Sequence, residues 1–100
     1  MKKIIILGST GSIGKQTLEI IKKDKKNFKV ILLSTDQNIA LISKQIKMFN
    51  VKNVVVTNKK KYLILKKKVK KINVYPNFKD IDKKIKIKAD YTMSAISGIE

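Results

Sequence analysis

Three glycines at fixed spacing carry the chemistry legible in this chain: Gly8, Gly11 and Gly14, within Gly8-Ser9-Thr10-Gly11-Ser12-Ile13-Gly14. The apolar run Ile4-Ile5-Ile6-Leu7 precedes them and a helix-patterned stretch follows. A buried parallel strand that turns sharply into a helix gathers backbone N–H groups and the positive end of a helix dipole at one point. A diphosphate is what such a point binds best. In that arrangement Gly8 permits the tight turn and Gly11 lets the backbone approach phosphates with no Cβ in the way. Gly14 lets the helix pack on the strand. Thr10 and Ser12 add hydroxyls that can donate to phosphate oxygens. A glycine turn without a ligand is the bland alternative, and the flanking strand and helix weigh against it.

The spacing narrows the ligand. Gly-x-x-Gly-x-x-Gly lacks the Gly-Lys-Ser/Thr ending of a nucleoside-triphosphate loop. Lys15 follows Gly14, but Gln16 comes next, so no hydroxyl is placed to hold Mg²⁺. A kinase or ATPase is disfavoured and a dinucleotide cofactor is favoured.

The elements that must position this loop alternate along the chain. Ile4–Leu7 reads as a first strand, and residues 13–24 as a helix with apolar Ile13, Leu18, Ile20 and Ile21. Val30–Leu33 is a second buried strand. Asn38 reads as the N-cap of a helix with Ile39, Ile42, Ile46 and Phe49 on one face. Val54–Val56 is a third strand, and Asn58 caps a lysine-rich helix carrying Tyr62, Leu65 and Val69. A short strand at Val74–Tyr75 ends at Pro76. From Asn77 to Lys88 two readings stand: Phe78, Ile81 and Ile85 fit a helix, while Ile85-Lys86-Ile87 alternates like an edge strand. Ala89–Ala95 reads as a further strand, with a turn at Ile96–Gly98 on the same sheet edge as the glycine loop. Such alternation predicts an α/β fold: a Rossmann-like, doubly wound, mostly parallel sheet with helices on both faces, truncated at Glu100.

One hundred residues make at most one small domain, and 43% hydrophobic residues suffice for a core. No apolar run approaches the ~18 residues of a membrane span. Lys2 and Lys3 before four apolar residues superficially imitate a signal peptide, but the run ends in glycines and reads as a strand. Cysteine and histidine are absent, which excludes disulfides, thiolate catalysis and the usual zinc sites within the segment and is compatible with a cytoplasmic setting.

A formal charge of +17 invites a nucleic-acid reading. All 24 basic residues are lysine, however, and arginine, which makes the bidentate contacts of sequence-specific readers, is missing. The lysines are spread from Lys2 to Lys88, and aromatic residues do not interleave with the runs at Lys59–Lys61 and Lys66–Lys68 as stacking platforms would. Lysine, isoleucine and asparagine all have A/T-only codons, so the basicity is read as the mark of an AT-rich coding sequence. Polyanion binding at low salt follows from electrostatics; specific nucleic-acid recognition does not.

The run Ile6 to Gly14, with Thr17-Leu18 after it, resembles the start of the deoxyxylulose-phosphate reductoisomerases. Phe28-Lys29-Val30, Asn38 and Ala95-Ile96-Ser97-Gly98 agree with the same family. The resemblance spans essentially the whole chain but only the first quarter or so of such an enzyme. Aspartate-semialdehyde dehydrogenases share Gly-x-Thr-Gly-x-x-Gly, usually with alanine where this chain has Ser9 and Ser12, and come second. The rival of another class is a free-standing nucleotide- or polyanion-binding module without chemistry.

The reductoisomerase resemblance implies NADPH- and Mg²⁺- or Mn²⁺-dependent conversion of deoxyxylulose phosphate, a phosphorylated sugar, to methylerythritol phosphate in isoprenoid biosynthesis. It also implies a cytoplasmic homodimer with no membrane partner. Carried over by position, Gly8, Thr10, Gly11, Ser12 and Ile13 would hold the cofactor diphosphate, and Gln37 and Asn38 the 2′-phosphate end of the adenosine. Residues 1–100 would form the N-terminal part of the cofactor-binding domain. The family's metal ligands, nicotinamide-side lysine and substrate-phosphate residues would lie downstream, so this stretch alone is expected to catalyse nothing.

One departure stands out. Where the family usually has Gly-x-Asn after the second strand, this chain reads Asp36-Gln37-Asn38. A carboxylate about 20 residues beyond the glycine loop commonly accepts the ribose 2′-hydroxyl of NAD and repels the 2′-phosphate of NADP. Physics alone therefore makes Asp36 an argument for NAD, and the resemblance argues for NADPH. NADPH is favoured, because nearby lysines can offset one carboxylate and its side chain can face solvent.

Overall fold

A computed structural model describes residues 1–79, 81–85 and 88–95. Five strands, β1 (Lys2–Leu7), β2 (Phe28–Thr35), β3 (Asn53–Val56), β4 (Asn73–Tyr75) and β5 (Tyr91–Ser94), form one sheet in the order β4-β3-β2-β1-β5. Every pairing is parallel. Helices α1 (Ser12–Lys22), α2 (Ile39–Phe49), α3 (Lys59–Lys68) and the single turn α4 (Ile81–Lys84) connect them. The expected α/β architecture is therefore present, with strands within a few residues of their predicted positions. Between Asn77 and Lys88 the helical reading holds for Ile81–Lys84. The alternation at Lys86–Ile87 and the turn at Ile96–Gly98 lie outside the described residues.

Each face of the sheet has its own core, because successive strand side chains alternate. Ile4, Ile6, Val30, Leu33, Val54 and Val56 pack with Leu18 and Ile21 of α1, Ile42 and Ile46 of α2 and Leu65 of α3. Ile5, Ile31, Leu32 and Val55 face the other way, with Ile85, Phe78, Ile81 and Ala89 against them. Ile31 and Leu32, though consecutive, share a face. The β1–β2 register jumps there, from Ile4↔Val30 to Ile5↔Leu32, and the extra residue is a bulge in β2.

Capping agrees with sequence. Asn38 accepts a hydrogen bond from Leu41 N at 3.1 Å, and Asn58 accepts one from Lys61 N at 3.1 Å. Helix α1 departs from its predicted face: Leu18 and Ile21 are buried, but Ile13 and Ile20 are 61% and 70% exposed. Ile20 instead lines a shallow apolar groove with Thr17, Tyr91 and Met93 beside the edge strand β5. Among the described residues no helix is long and apolar enough to cross a membrane.

Strand order locates the ligand edge. Successive connections run outward from β1 to β4, and the chain then returns to place β5 on the other side of β1. The reversal falls at the carboxyl end of β1, between β2 and β5. In open parallel sheets that switch point is where ligands bind. The glycine loop begins there.

Candidate functional site

The loop is shaped by its own backbone and stitched to β2. Gly8 has φ 75°, in the left-handed region that disfavours a side chain. Its N–H donates to Ser34 Oγ at 2.7 Å, and Ser9 N–H donates to the Ser34 carbonyl at 2.9 Å. Gly11 N–H then closes the turn on the Gly8 carbonyl at 3.2 Å. Gly11 is the N-cap of α1, offers no side chain to the first-turn N–H groups, and no acidic residue lies in that turn. Among the described residues no side chain caps those donors, so they and the helix dipole can meet an anion.

The glycines at 11 and 14 answer different demands. A Cβ on Gly14, which is buried, would overlap the Gly8 carbonyl oxygen and the backbone of Ser9. Gly14 is glycine so that α1 can lie on the loop. Among the described residues, a Cβ on Gly11 would meet only the Gly8 and Ala95 carbonyl oxygens, at 3.6 and 3.8 Å, which is ordinary contact. Packing among the described residues does not require glycine at 11. A cofactor diphosphate fits that bare stretch of backbone. Ser12 and Ile13 are exposed on it, and Thr10 is half-buried.

Hydrogen bonds join this loop to the end of β2. Thr10 Oγ1 lies 2.7 Å from Thr35 Oγ1, and Thr35 Oγ1 accepts from Asn38 N–H at 3.2 Å. Either hydroxyl can be the donor of this pair; when Thr35 donates, the Thr10 proton is left for a phosphate. The expected diphosphate and 2′-phosphate residues are thus brought to one sheet edge. Asn38 is held at the start of α2, where its Oδ1 caps the helix, and Gln37 is exposed beside it. Asp36 is exposed, and its carboxylate accepts the Thr57 hydroxyl at 2.6 Å.

Sequence reasoning missed the residues that hold the loop from behind. Ser9, fully buried, donates from Oγ to Gln45 Oε1 at 2.7 Å, and Gln45 Nε2 donates back to the Ser9 carbonyl at 2.9 Å. Gln45 is 6% exposed and ties the middle of α2 to the glycine loop. Its signal was available: Gln45 sits on the same helical stripe as Ile42, Ile46 and Phe49, and a polar residue on an apolar stripe needs a partner. Ser34, Thr35 and Thr57, at strand ends, carried no comparable signal.

Among the described residues no three histidine, cysteine or acidic side chains gather as a metal site. The carboxylates of Asp24, Asp36 and Asp90 are taken up by Asn27, Thr57 and the Lys3 N–H respectively.

Comparison with known proteins gives one answer. The family model for 1-deoxy-D-xylulose 5-phosphate reductoisomerase matches residues 4–100. The reductoisomerase of Pelagibacter ubique is 50% identical over 104 residues, covering all of this chain and 27% of that protein. That of a Thermoanaerobacter species is 43% identical over 100 residues, covering 99% of this chain and 26% of its own length. Among solved structures, the reductoisomerase of Zymomonas mobilis in complex with NADPH superposes with a TM-score of 0.82 at 28% identity, over 95% of this chain and 26% of that one. The chain spans about a quarter of the length of the relatives it matches.

Proposed function

The chain belongs to the 1-deoxy-D-xylulose 5-phosphate reductoisomerase family, and from that membership we propose that it forms the cofactor-binding part of such an enzyme. The activity proposed for the whole protein is rearrangement and reduction of 1-deoxy-D-xylulose 5-phosphate to 2-C-methyl-D-erythritol 4-phosphate, a step of isoprenoid biosynthesis. NADPH, when bound, supplies the hydride, and Mg²⁺ or Mn²⁺, when bound, supplies a Lewis acid.

The observation that carries the reading is the bare backbone at Gly11, at the switch point of the sheet, above an α1 terminus with no side-chain cap. Gly8, Thr10, Gly11, Ser12 and Ile13 are assigned to the cofactor diphosphate: backbone N–H groups and the Thr10 and Ser12 hydroxyls donate to it. Gln37 and Asn38 are assigned to the 2′-phosphate end. The Asn38 Oδ1 already caps α2, so its amide nitrogen is the group left to donate outward. Residues 1–100 are the N-terminal part of the cofactor domain in this reading. Substrate, metal and proton-handling residues belong to the rest of the protein, and this part alone turns nothing over. A cytoplasmic homodimer acting on a small phosphorylated sugar, with no specific nucleic-acid or membrane partner, completes the proposal.

Fluorescence titration of NADPH against the full-length protein tests it. Gly11→Val, which fills the bare backbone, should weaken binding tenfold or more, on the order of 1.4 kcal/mol. An unchanged titration with a folded variant would remove the loop from the site.

A further inference from the structure

Two consecutive residues at the end of β2 are tied in opposite directions across the sheet. Thr35 Oγ1 bonds Thr10 of the glycine loop, on the β1 side, at 2.7 Å. Asp36 Oδ1 accepts from Thr57 Oγ1, on the β3 side, at 2.6 Å. The backbone reinforces the second tie, because Thr57 N–H donates to the Thr35 carbonyl at 3.1 Å and Asn58 N–H to the Asp36 carbonyl at 3.0 Å. In the strand order β3-β2-β1, Thr57 and the glycine loop flank β2 from opposite sides.

An adenosine ribose running from a diphosphate at the glycine loop reaches the end of β2 from the β1 side. A free carboxylate at Asp36 would accept the 2′-hydroxyl of NADH there and repel the 2′-phosphate of NADPH. The Thr57 hydroxyl instead holds that carboxylate toward β3, at a length in the short range of O–H···O⁻ bonds. Asn38, by contrast, is anchored through its N–H on Thr35, the residue tied to the glycine loop. We propose that Thr57 is a specificity-positioning residue: by tethering Asp36 away from the ribose it lets a chain with an acid at this position favour NADPH over NADH. The inference rests on the cofactor reading above and deepens it.

The test is equilibrium binding of NADPH and of NADH to the full-length protein, compared as a ratio of dissociation constants. Thr57→Val keeps the shape of the side chain and removes the tethering hydroxyl. The wild type should favour NADPH, and Thr57→Val should shift the ratio toward NADH on the order of fivefold, more at low salt than at high. In an Asp36→Gly background the same substitution should leave the ratio where it was, since no carboxylate remains to be released. An unmoved ratio in Thr57→Val, or an equal shift in both backgrounds, overturns the tether. A wild type that favours NADH overturns it as well. A wild type that binds neither nucleotide overturns the cofactor reading and this inference with it, so the two failures are distinguishable.

Discussion

The Cβ that an alanine would place at position 14 overlaps the carbonyl oxygen of Gly8 and lies 2.6 Å from the Cα of Ser9. Neither neighbour can swing aside. Both are backbone, in a loop already fixed by Gly8 at φ 75° and by the hydrogen bonds that the Gly8 and Ser9 N–H groups give to Ser34. The strand-to-helix turn is therefore a contact between main chains, and residue 14 is where a side chain would wedge it open.

Gly14→Ala and Gly11→Ala should consequently fail in opposite ways. Gly14→Ala overpacks the loop and should cost about 1–3 kcal/mol of stability or more. Gly11→Ala places its Cβ at ordinary distances and changes only a helix N-cap, so its stability cost should stay within about 1 kcal/mol. Its loss should appear in NADPH affinity. Urea denaturation beside NADPH titration of both variants in the full-length protein reads the contrast. Equal stability losses would show that Gly11, too, is held by packing.

Gln45 should prove as necessary to the loop as its glycines. Gln45→Leu keeps an apolar stripe on α2 but removes both bonds to Ser9, leaving the Ser9 carbonyl without its partner. Leaving a buried polar group unpaired costs about 1–3 kcal/mol. Ser9→Ala in the Gln45→Leu background should cost less than it does alone, because the hydroxyl's shorter bond has already gone and only the Ser34 carbonyl, at 3.3 Å, remains to it. Denaturation of the two single variants and the double variant measures this coupling. Strict additivity would mean the two side chains do not act as a unit.

The unequal legibility of the sequence has a physical cause. Apolar runs such as Ile4–Leu7 and Val54–Val56 declare buried strands, and the glycine spacing declares a tight strand-to-helix turn, because each is a local requirement on a few adjacent residues. Asn38 and Asn58 were readable as caps for the same reason. The Ser9–Gln45 and Asp36–Thr57 bonds join residues 36 and 21 positions apart, and nothing local in either residue announces its partner. The exposed Ile13 and Ile20 show the converse error. Helical spacing puts four apolar residues on α1, but the sheet meets only the face bearing Leu18 and Ile21.

Charge repulsion should make the stability of this chain salt-dependent. A net charge of +17 sits on a molecule only 34 × 28 × 25 Å across. At 0.01 M salt the screening length is about 30 Å, so every lysine feels nearly every other; at 0.1 M it is about 10 Å. Raising NaCl between those values should therefore raise the thermal midpoint of the purified 100-residue chain, and charge-reversing Lys→Glu pairs on α3 should flatten the dependence. A midpoint that stays constant or falls with salt would show that the lysines are already neutralised by their surroundings.

Asn38 offers the sharpest separation of a structural from a ligand role. Its Oδ1 caps α2 on Leu41 N–H, and its N–H is anchored on Thr35. Asn38→Ala should lose the cap, at about 1 kcal/mol, together with affinity for the cofactor. Asn38→Asp is the more decisive variant, because aspartate caps a helix as well as asparagine does and adds favourable charge at the N-terminus. Stability should therefore hold or rise slightly. The new carboxylate would stand where the 2′-phosphate is proposed to lie, with no tether of the kind Thr57 gives Asp36. NADPH affinity should fall on the order of tenfold while NADH affinity changes little, since only NADPH brings the extra charge. Thermal unfolding and paired titrations of the two nucleotides read both effects on one protein. If NADPH and NADH weaken together, Asn38 faces a part of the cofactor common to both and the 2′-phosphate is held elsewhere; if neither affinity changes, Asn38 is a helix cap and nothing more.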